Sequence, residues 1–217
     1  MPIYHPRPDE HGKPVLLKSP SRATPLACWS DATAVVTVTP ESEVPAELNG
    51  VRFHDWRDVP IAEEDWNNVD GQCSINEPAF RPPLGKMPAA GVVVEEADGR
   101  FWLVAPSNAF GGYMATFPKG RIEGHVSLQA SAIREAYEEA GLKVRITGFL
   151  ADSNRTKSYT RYYLAERISG NPALMGWESQ AVHLVPREAL EVFLTHANDL
   201  PLLDTIIKLY PPMKMSK

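Results

Sequence analysis

The chain has only two cysteines in 217 residues, Cys28 and Cys73. That is too few for a disulfide scaffold, so a packed core must carry stability. Both are expected as free thiols in a reducing, cytoplasmic setting. Long apolar runs are also missing. No segment approaches the roughly 20 apolar residues that span a bilayer, and the opening MPIYHPRPDE lacks an apolar block of signal type. A soluble protein without a membrane partner is the expectation. Nor is there a basic cluster: the formal net charge is −5. Wrapping nucleic acid needs clustered Lys and Arg, so nucleic acid as an extended ligand is not expected. A small anionic substrate is compatible with an acidic chain when metal ions supply the positive charge.

Proline is abundant but uneven. Thirteen of the 20 prolines precede Ala89. Proline fixes φ and lacks a backbone donor, so this region cannot be mostly helix or central sheet. Residues 1–28 read as an extended arm and 31–39 as a β-branched strand. Residues 48–56 read as an Asn49-Gly50 turn leading to a second strand, and 77–88 as a linker. Residues 1–88 are therefore expected to form a Pro-rich extension that packs on the main domain or mediates a homodimer. Trp29, Trp56 and Trp66 are expected to be packing residues.

From 89 to 212 the pattern is that of one α/β domain. Ala90–Val94 and Phe101–Val104 read as a hairpin around Asp98-Gly99. Ser127 suits the N-cap of a helix running to Ala140, and Gly141 suits its end. Residues 143–150, 159–165 and 182–185 read as strands. Pro186 suits the start of a helix to Leu194, and 200–209 reads as a final helix. Interleaved strands and helices predict a mixed sheet covered by helices.

The chemistry concentrates between Phe117 and Leu142. Glu135, Glu138 and Glu139 stand at i, i+3 and i+4 and so share one helix face. Three like charges there repel. Carboxylate oxygens suit hard Mg²⁺ or Mn²⁺, which would turn the repulsion into coordination. The other face is apolar, with Ala132, Ile133, Ala136 and Ala140. Pro118-Lys119-Gly120 reads as a tight turn before the helix, whose backbone can approach a ligand closely. Clustered glutamates alone are more often a solvated face; the spacing of the whole stretch is what adds weight.

That stretch resembles the Nudix box. The family pattern is Gly, five residues, Glu, seven residues, then Arg-Glu-aliphatic-any-Glu-Glu-any-Gly-aliphatic. Gly120 and the run Arg134-Glu135-Ala136-Tyr137-Glu138-Glu139-Ala140-Gly141-Leu142 fall on it. The resemblance implies a Nudix-like α/β/α sandwich and metal-dependent hydrolysis of a phosphoanhydride. It implies Glu135, Glu138, Glu139 and the Lys119 carbonyl as metal ligands and Arg134 as a catalytic-site residue. Glu178, before the last strand, is the candidate general base. One position departs: the family's first Glu, which braces the loop and pairs with the Arg, is Val126 here. A looser loop is the expectation, with Glu123 as the nearby substitute.

The lead-in Phe117-Pro118-Lys119-Gly120 resembles the branch that handles dinucleoside polyphosphates, diphosphoinositol polyphosphates and capped RNA. It resembles less the branch that cleaves ADP-ribose, although an ADP-ribose or nucleotide-sugar pyrophosphatase stays open. A 5′-capped or triphosphate end is the one nucleic-acid partner this leaves. Lys119, Arg155, Lys157, Arg161 and Tyr159 are the candidate substrate-binding residues. Two other classes stay open: a nucleotide sensor that keeps the fold, suggested by Val126, and an interaction protein that works through the N-terminal arm.

Overall fold

In a computed structural model, which describes residues 2–210, the strands are β1 (Ile3–Tyr4), β2 (Leu16–Leu17), β3 (Val36–Val38), β4 (Glu47–Leu48), β5 (Val51–Arg52), β6 (Met87–Glu95), β7 (Arg100–Pro106), β8 (Lys119–Arg121), β9 (Leu142–Asn154), β10 (Ser158–Gly170) and β11 (Ser179–Pro186). The α-helices are α1 (Leu128–Ala140), α2 (Leu190–Phe193) and α3 (Leu200–Leu209). The main sheet runs β3-β11-β7-β6-β10-β9, with β8 also paired to β6. It is mixed: β6 and β10 are parallel, and the other pairings are antiparallel.

Alternation along the central strands explains the layers. Val92, Val94, Trp102, Val104, Tyr163 and Ala165 face one apolar cluster with α1 residues Ala132, Ile133, Ala136 and Ala140. Val93, Phe101, Leu103 and Tyr162 face the other, with Leu190, Leu202, Leu203 and Ile206 from α2 and α3. The result is the α/β/α sandwich. α1 begins where Ser127 Oγ accepts from the Ala130 N–H and ends at Gly141 in the left-handed region. This fixes which residues of α1 face outward.

The N-terminal region shares this core. Its β3 pairs with β11 at the sheet edge, Val36 opposite Leu184 and Val38 opposite Val182. Trp29, Trp56 and Trp66 are buried in the α1-side cluster, and Trp56 meets Tyr137 of α1 edge-on at 5.3 Å. A buried indole removes roughly 200 Å² from water, about 5 kcal/mol of gross apolar transfer at ~25 cal/mol/Å². Arg167 of β10 adds a buried fastening: it pairs with Glu96 at 2.5 Å and donates to the Leu48 carbonyl at 3.1 Å.

Several elements differ from the sequence reading. Residues 118–120 are not simply a turn, because Lys119–Arg121 pairs with Ala89–Gly91. The strands read as 143–150 and 159–165 extend to 142–154 and 158–170, since their polar ends still pair with each other through bulges. The strand read over 31–39 is three residues long, and that within 48–56 is the short pair β4–β5. Pro186 closes β11 instead of opening a helix; a 3₁₀ turn, Arg187–Ala189, and the single-turn α2 follow.

Candidate active site

The site is built on the outward face of α1 and the loop before it. Glu135 is buried, Glu139 half-buried and Glu138 exposed. The Glu139 carboxylate accepts from the Lys119 backbone N–H at 2.9 Å, which ties the end of the helix to β8. A side chain at position 120 would meet the Glu135 carboxylate: a Cβ there would lie 2.0 Å from Oε1. Gly120 is therefore the cradle of Glu135.

Arg134 is 4% exposed and lies under the carboxylates. Its Nη1 pairs with Glu123 at 3.1 Å, its Nη2 lies 3.9 Å from Glu135, and its Nε lies 3.8 Å from Glu138. Nη2 also donates to the Arg121 carbonyl at 3.4 Å. The guanidinium thus joins loop to helix, and Glu123 occupies the place left by Val126. Val126 itself is buried in the core. The loop thus keeps an ionic tie to the helix, supplied from position 123 and not from position 126.

Glu178 reaches the same corner through backbone contact. The Gly176 N–H donates to the Glu138 carbonyl at 2.8 Å, and a Cβ on Gly176 would sit 2.4 Å from that oxygen. Only glycine lets the loop before Glu178 lie this close to α1. The Glu178 carbonyl accepts from the Ser107 N–H at 2.7 Å.

The electrostatics follow from this crowding. Burial pushes the Glu135 carboxyl well above the usual carboxylate range, and Glu139 and Glu138 push it further. Burial raises Glu139 to about 7 against the pull of the Lys119 ammonium and N–H. Burial also raises Glu138 and Glu178, and Glu10 of the N-terminal arm adds to the effect at Glu178. As placed, no three His, Cys, Asp or Glu side chains among the described residues stand close enough to enclose a metal ion. The donor set nevertheless suits one. All its members are hard oxygens that repel each other, and residues at i, i+3 and i+4 need only side-chain rotation to converge.

The expected substrate residues divide. Lys119 lies at the site, its ammonium 5.3 Å from the Tyr113 ring centre. Arg161 does not face a substrate: it is 1% exposed and bonded to both Asp152 oxygens at 2.8 Å and to Glu77 at 3.0 Å. Arg155 is likewise buried, paired with Asp199 at 2.7 Å and with the Tyr162 hydroxyl at 2.9 Å. Both positions read as free cations in sequence because Asp199 and Glu77 lie 44 and 84 residues away and Asp152 meets Arg161 only across the β9–β10 pairing. Tyr159 packs on Phe80, and Lys157 is exposed at the β9–β10 turn; neither is hydrogen-bonded or ion-paired to the glutamates.

Sequence reasoning missed Tyr113. It stacks on His196 at 3.9 Å, and Arg155 and Lys119 each approach its ring at 5.3 Å. Glu77 was also missed; it lies in the stretch read as a linker and is bonded to Arg161, Tyr163 and Gln129. No local pattern marks either residue.

Several known proteins are similar to this chain. The chain is 32% identical over 108 residues to an RNA pyrophosphohydrolase of Caulobacter vibrioides, an alignment covering 49% of this chain and 56% of that protein. It thus spans little more than half the length of the curated relatives it matches. Among solved structures, a NUDIX hydrolase from Nitrosomonas europaea is 21% identical, with a TM-score of 0.49, over 59% of this chain and 75% of that one. A C. elegans Ap4A hydrolase is also 21% identical, with a TM-score of 0.46, over 57% of this chain and 96% of that one. The model of the NUDIX domain matches residues 85–206. That span is more than half of the 217 residues and holds the whole box, so the chain belongs to the NUDIX-domain family.

Proposed function

We propose that this chain is a divalent-metal-dependent pyrophosphohydrolase that cleaves a P–O–P linkage in a nucleoside-diphosphate-linked or polyphosphate substrate. One observation carries the reading. Four carboxylates share one corner and raise one another's pKa: Glu135, Glu138 and Glu139 from α1, and Glu178 brought near by the Gly176–Glu138 backbone bond. Burying like charges together costs stability, and a phosphate substrate with its cation is the chemistry that repays it.

Glu135, Glu138, Glu139 and the Lys119 carbonyl would hold Mg²⁺ or Mn²⁺. Such an ion, when bound, polarises the bridging phosphates and lowers the pKa of water. The chain's own groups do the rest. Arg134 keeps Glu135 and Glu138 in place and holds the loop through Glu123. Lys119 offers its ammonium to a phosphate oxygen. Glu178, whose carboxyl burial raises above the usual range, takes the proton from the attacking water. The water oxygen bonds to phosphorus, the bridging P–O bond breaks, and its electron pair leaves with the departing phosphate.

The polyphosphate branch is favoured by the Phe117–Gly120 lead-in and by the alignment with a protein named for RNA pyrophosphohydrolysis. A hydrolysis panel with Mg²⁺ tests this. It should cover dinucleoside polyphosphates, 5′-triphosphate RNA, diphosphoinositol polyphosphates, ADP-ribose and nucleotide sugars, with products identified. Turnover of a polyphosphate, abolished in Glu139→Gln, is expected. Folded protein that turns over none of them would refute the enzymatic reading.

A further inference from the structure

We propose that residues 63–72 of the N-terminal region serve as the brace of the box loop, with Asn67 as its positioning residue. The proposal rests on the hydrolytic reading of the site and adds how this chain holds it. The loop that carries the chemistry needs fixing at both ends. Its leading end is fixed by pairing, Lys119 opposite Gly91 and Gly120 opposite Ala90. Its far end has Val126, which can form no ion pair.

Asn67 fastens that end by other means. Its Oδ1 accepts from the Ser127 N–H at 2.8 Å, and its Nδ2 donates to the His125 carbonyl at 3.2 Å. The two bonds grip the backbone on either side of Val126. Gln72 continues the grip: its Oε1 accepts from the Ser127 hydroxyl at 3.0 Å, and its Nε2 donates to the Asn67 carbonyl at 2.9 Å. Ser127 is the N-cap of α1, so the first turn of the helix bearing Glu135, Glu138 and Glu139 is held by the same residues. Trp66, next to Asn67, is buried in the same apolar cluster as Val126 and anchors the brace to the core. This backbone grip adds to the ionic tie from Arg134 to Glu123 and the Arg121 carbonyl, which holds the middle of the loop.

Asn67 and Ser127 are exposed, so removing the amide leaves no buried orphan and the fold should survive. A purely structural fastening would lower stability without touching catalysis. The test uses the full chain with Asn67→Ala, Asn67→Asp and, as a control, Asn49→Ala, which loses its bonds to Glu96 and Asp98 near the β6–β7 turn and strains a left-handed backbone position, away from the box loop. Hydrogen exchange, Mn²⁺ titration, melting, and kcat and KM with Mg²⁺ would be measured. Asn67→Ala should quicken exchange in 121–127, weaken Mn²⁺ binding and lower kcat, the last two by about threefold to tenfold, with little change in KM. Asn67→Asp keeps the acceptor for the Ser127 N–H but sets an oxygen against the His125 carbonyl, so it should recover only part of the loss. Asn49→Ala should alter melting alone. Asn67→Ala with wild-type Mn²⁺ affinity and kcat would overturn the brace while leaving the hydrolytic reading intact, as would an equal loss of kcat in Asn49→Ala. Wild-type protein that neither binds Mn²⁺ nor hydrolyses any substrate would overturn both.

Discussion

The metal-free protein should be made more stable, not less, by Glu139→Gln at neutral pH. Glu139 is raised from 4.5 to about 7, first by burial. A carboxyl raised in the folded state binds its proton more tightly there than in the unfolded chain. Its ionisation costs the fold nothing below about 4.5, costs progressively more as pH rises, and costs the full amount above about 7. That amount is roughly 3 kcal/mol. Because Glu135 and Glu139 share the repulsion, about 1–3 kcal/mol is assigned to Glu139 alone. Glutamine avoids this cost and keeps an oxygen for the Lys119 N–H. For a chain of this size the variant should melt roughly 3–10 °C above wild type in EDTA at pH 7.5. The gap should close by pH 4.5. His183, lowered to about 4 by burial, and His5, also lowered, drive stability the other way over this range. Both are common to the two proteins and cancel in the difference. Saturating Mg²⁺ should shrink or reverse the gap, because it stabilises wild type by about 2.7 kcal/mol at a hundredfold its Kd. Scanning calorimetry at pH 4.5, 6 and 7.5, with EDTA and with Mg²⁺, decides the matter. A glutamine variant no more stable than wild type at pH 7.5 in EDTA would refute the argument, as would a gap independent of pH.

Gly120→Ala should leave the fold intact, since the new Cβ meets only the end of the flexible Glu135 side chain. It should cut turnover at least about tenfold by displacing that carboxylate, read by kcat beside an unchanged circular dichroism spectrum. Val126→Glu should destabilise by roughly 2–4 kcal/mol, because position 126 is buried and Arg134 is already engaged by Glu123. A rise in kcat without loss of melting temperature would show that the pocket admits the ionic brace after all. Arg161→Ala should cost about 3–5 kcal/mol in denaturant titration, since Asp152 and Glu77 lose their buried partner. KM should not move, whereas a substrate-binding arginine would raise it.

What the sequence made legible was whatever local rules determine. Ser127 and Gly141 bound α1 because capping needs a side-chain acceptor at one end and a left-handed residue at the other. The i, i+3, i+4 spacing put Glu135, Glu138 and Glu139 on one face. The β6–β7 hairpin followed from two apolar runs around Asp98-Gly99. What was not legible depends on residues far apart. Arg155 and Arg161 stand on or beside a strand rich in tyrosine, as phosphate-binding residues do. Only the fold shows that Asp199, Asp152 and Glu77 neutralise them. Tyr113 lies in a glycine-rich loop without periodicity, and its place beside Lys119 is set by α3's lead-in, through His196 and Asn198.

The departure at position 126 shows how the two kinds of information combine. Read locally, a valine in place of a carboxylate deletes a strut and predicts a loose loop. In three dimensions the same valine is a core residue, and burying it draws the chain beneath Asn67 and Gln72. A glutamate there would have to choose between the apolar cluster and Arg134, and Arg134 is already paired. The substitution and the proline-rich segment therefore make sense only together: the segment supplies polar contacts to the loop backbone, and Val126 supplies the apolar seat that brings the loop within reach of them.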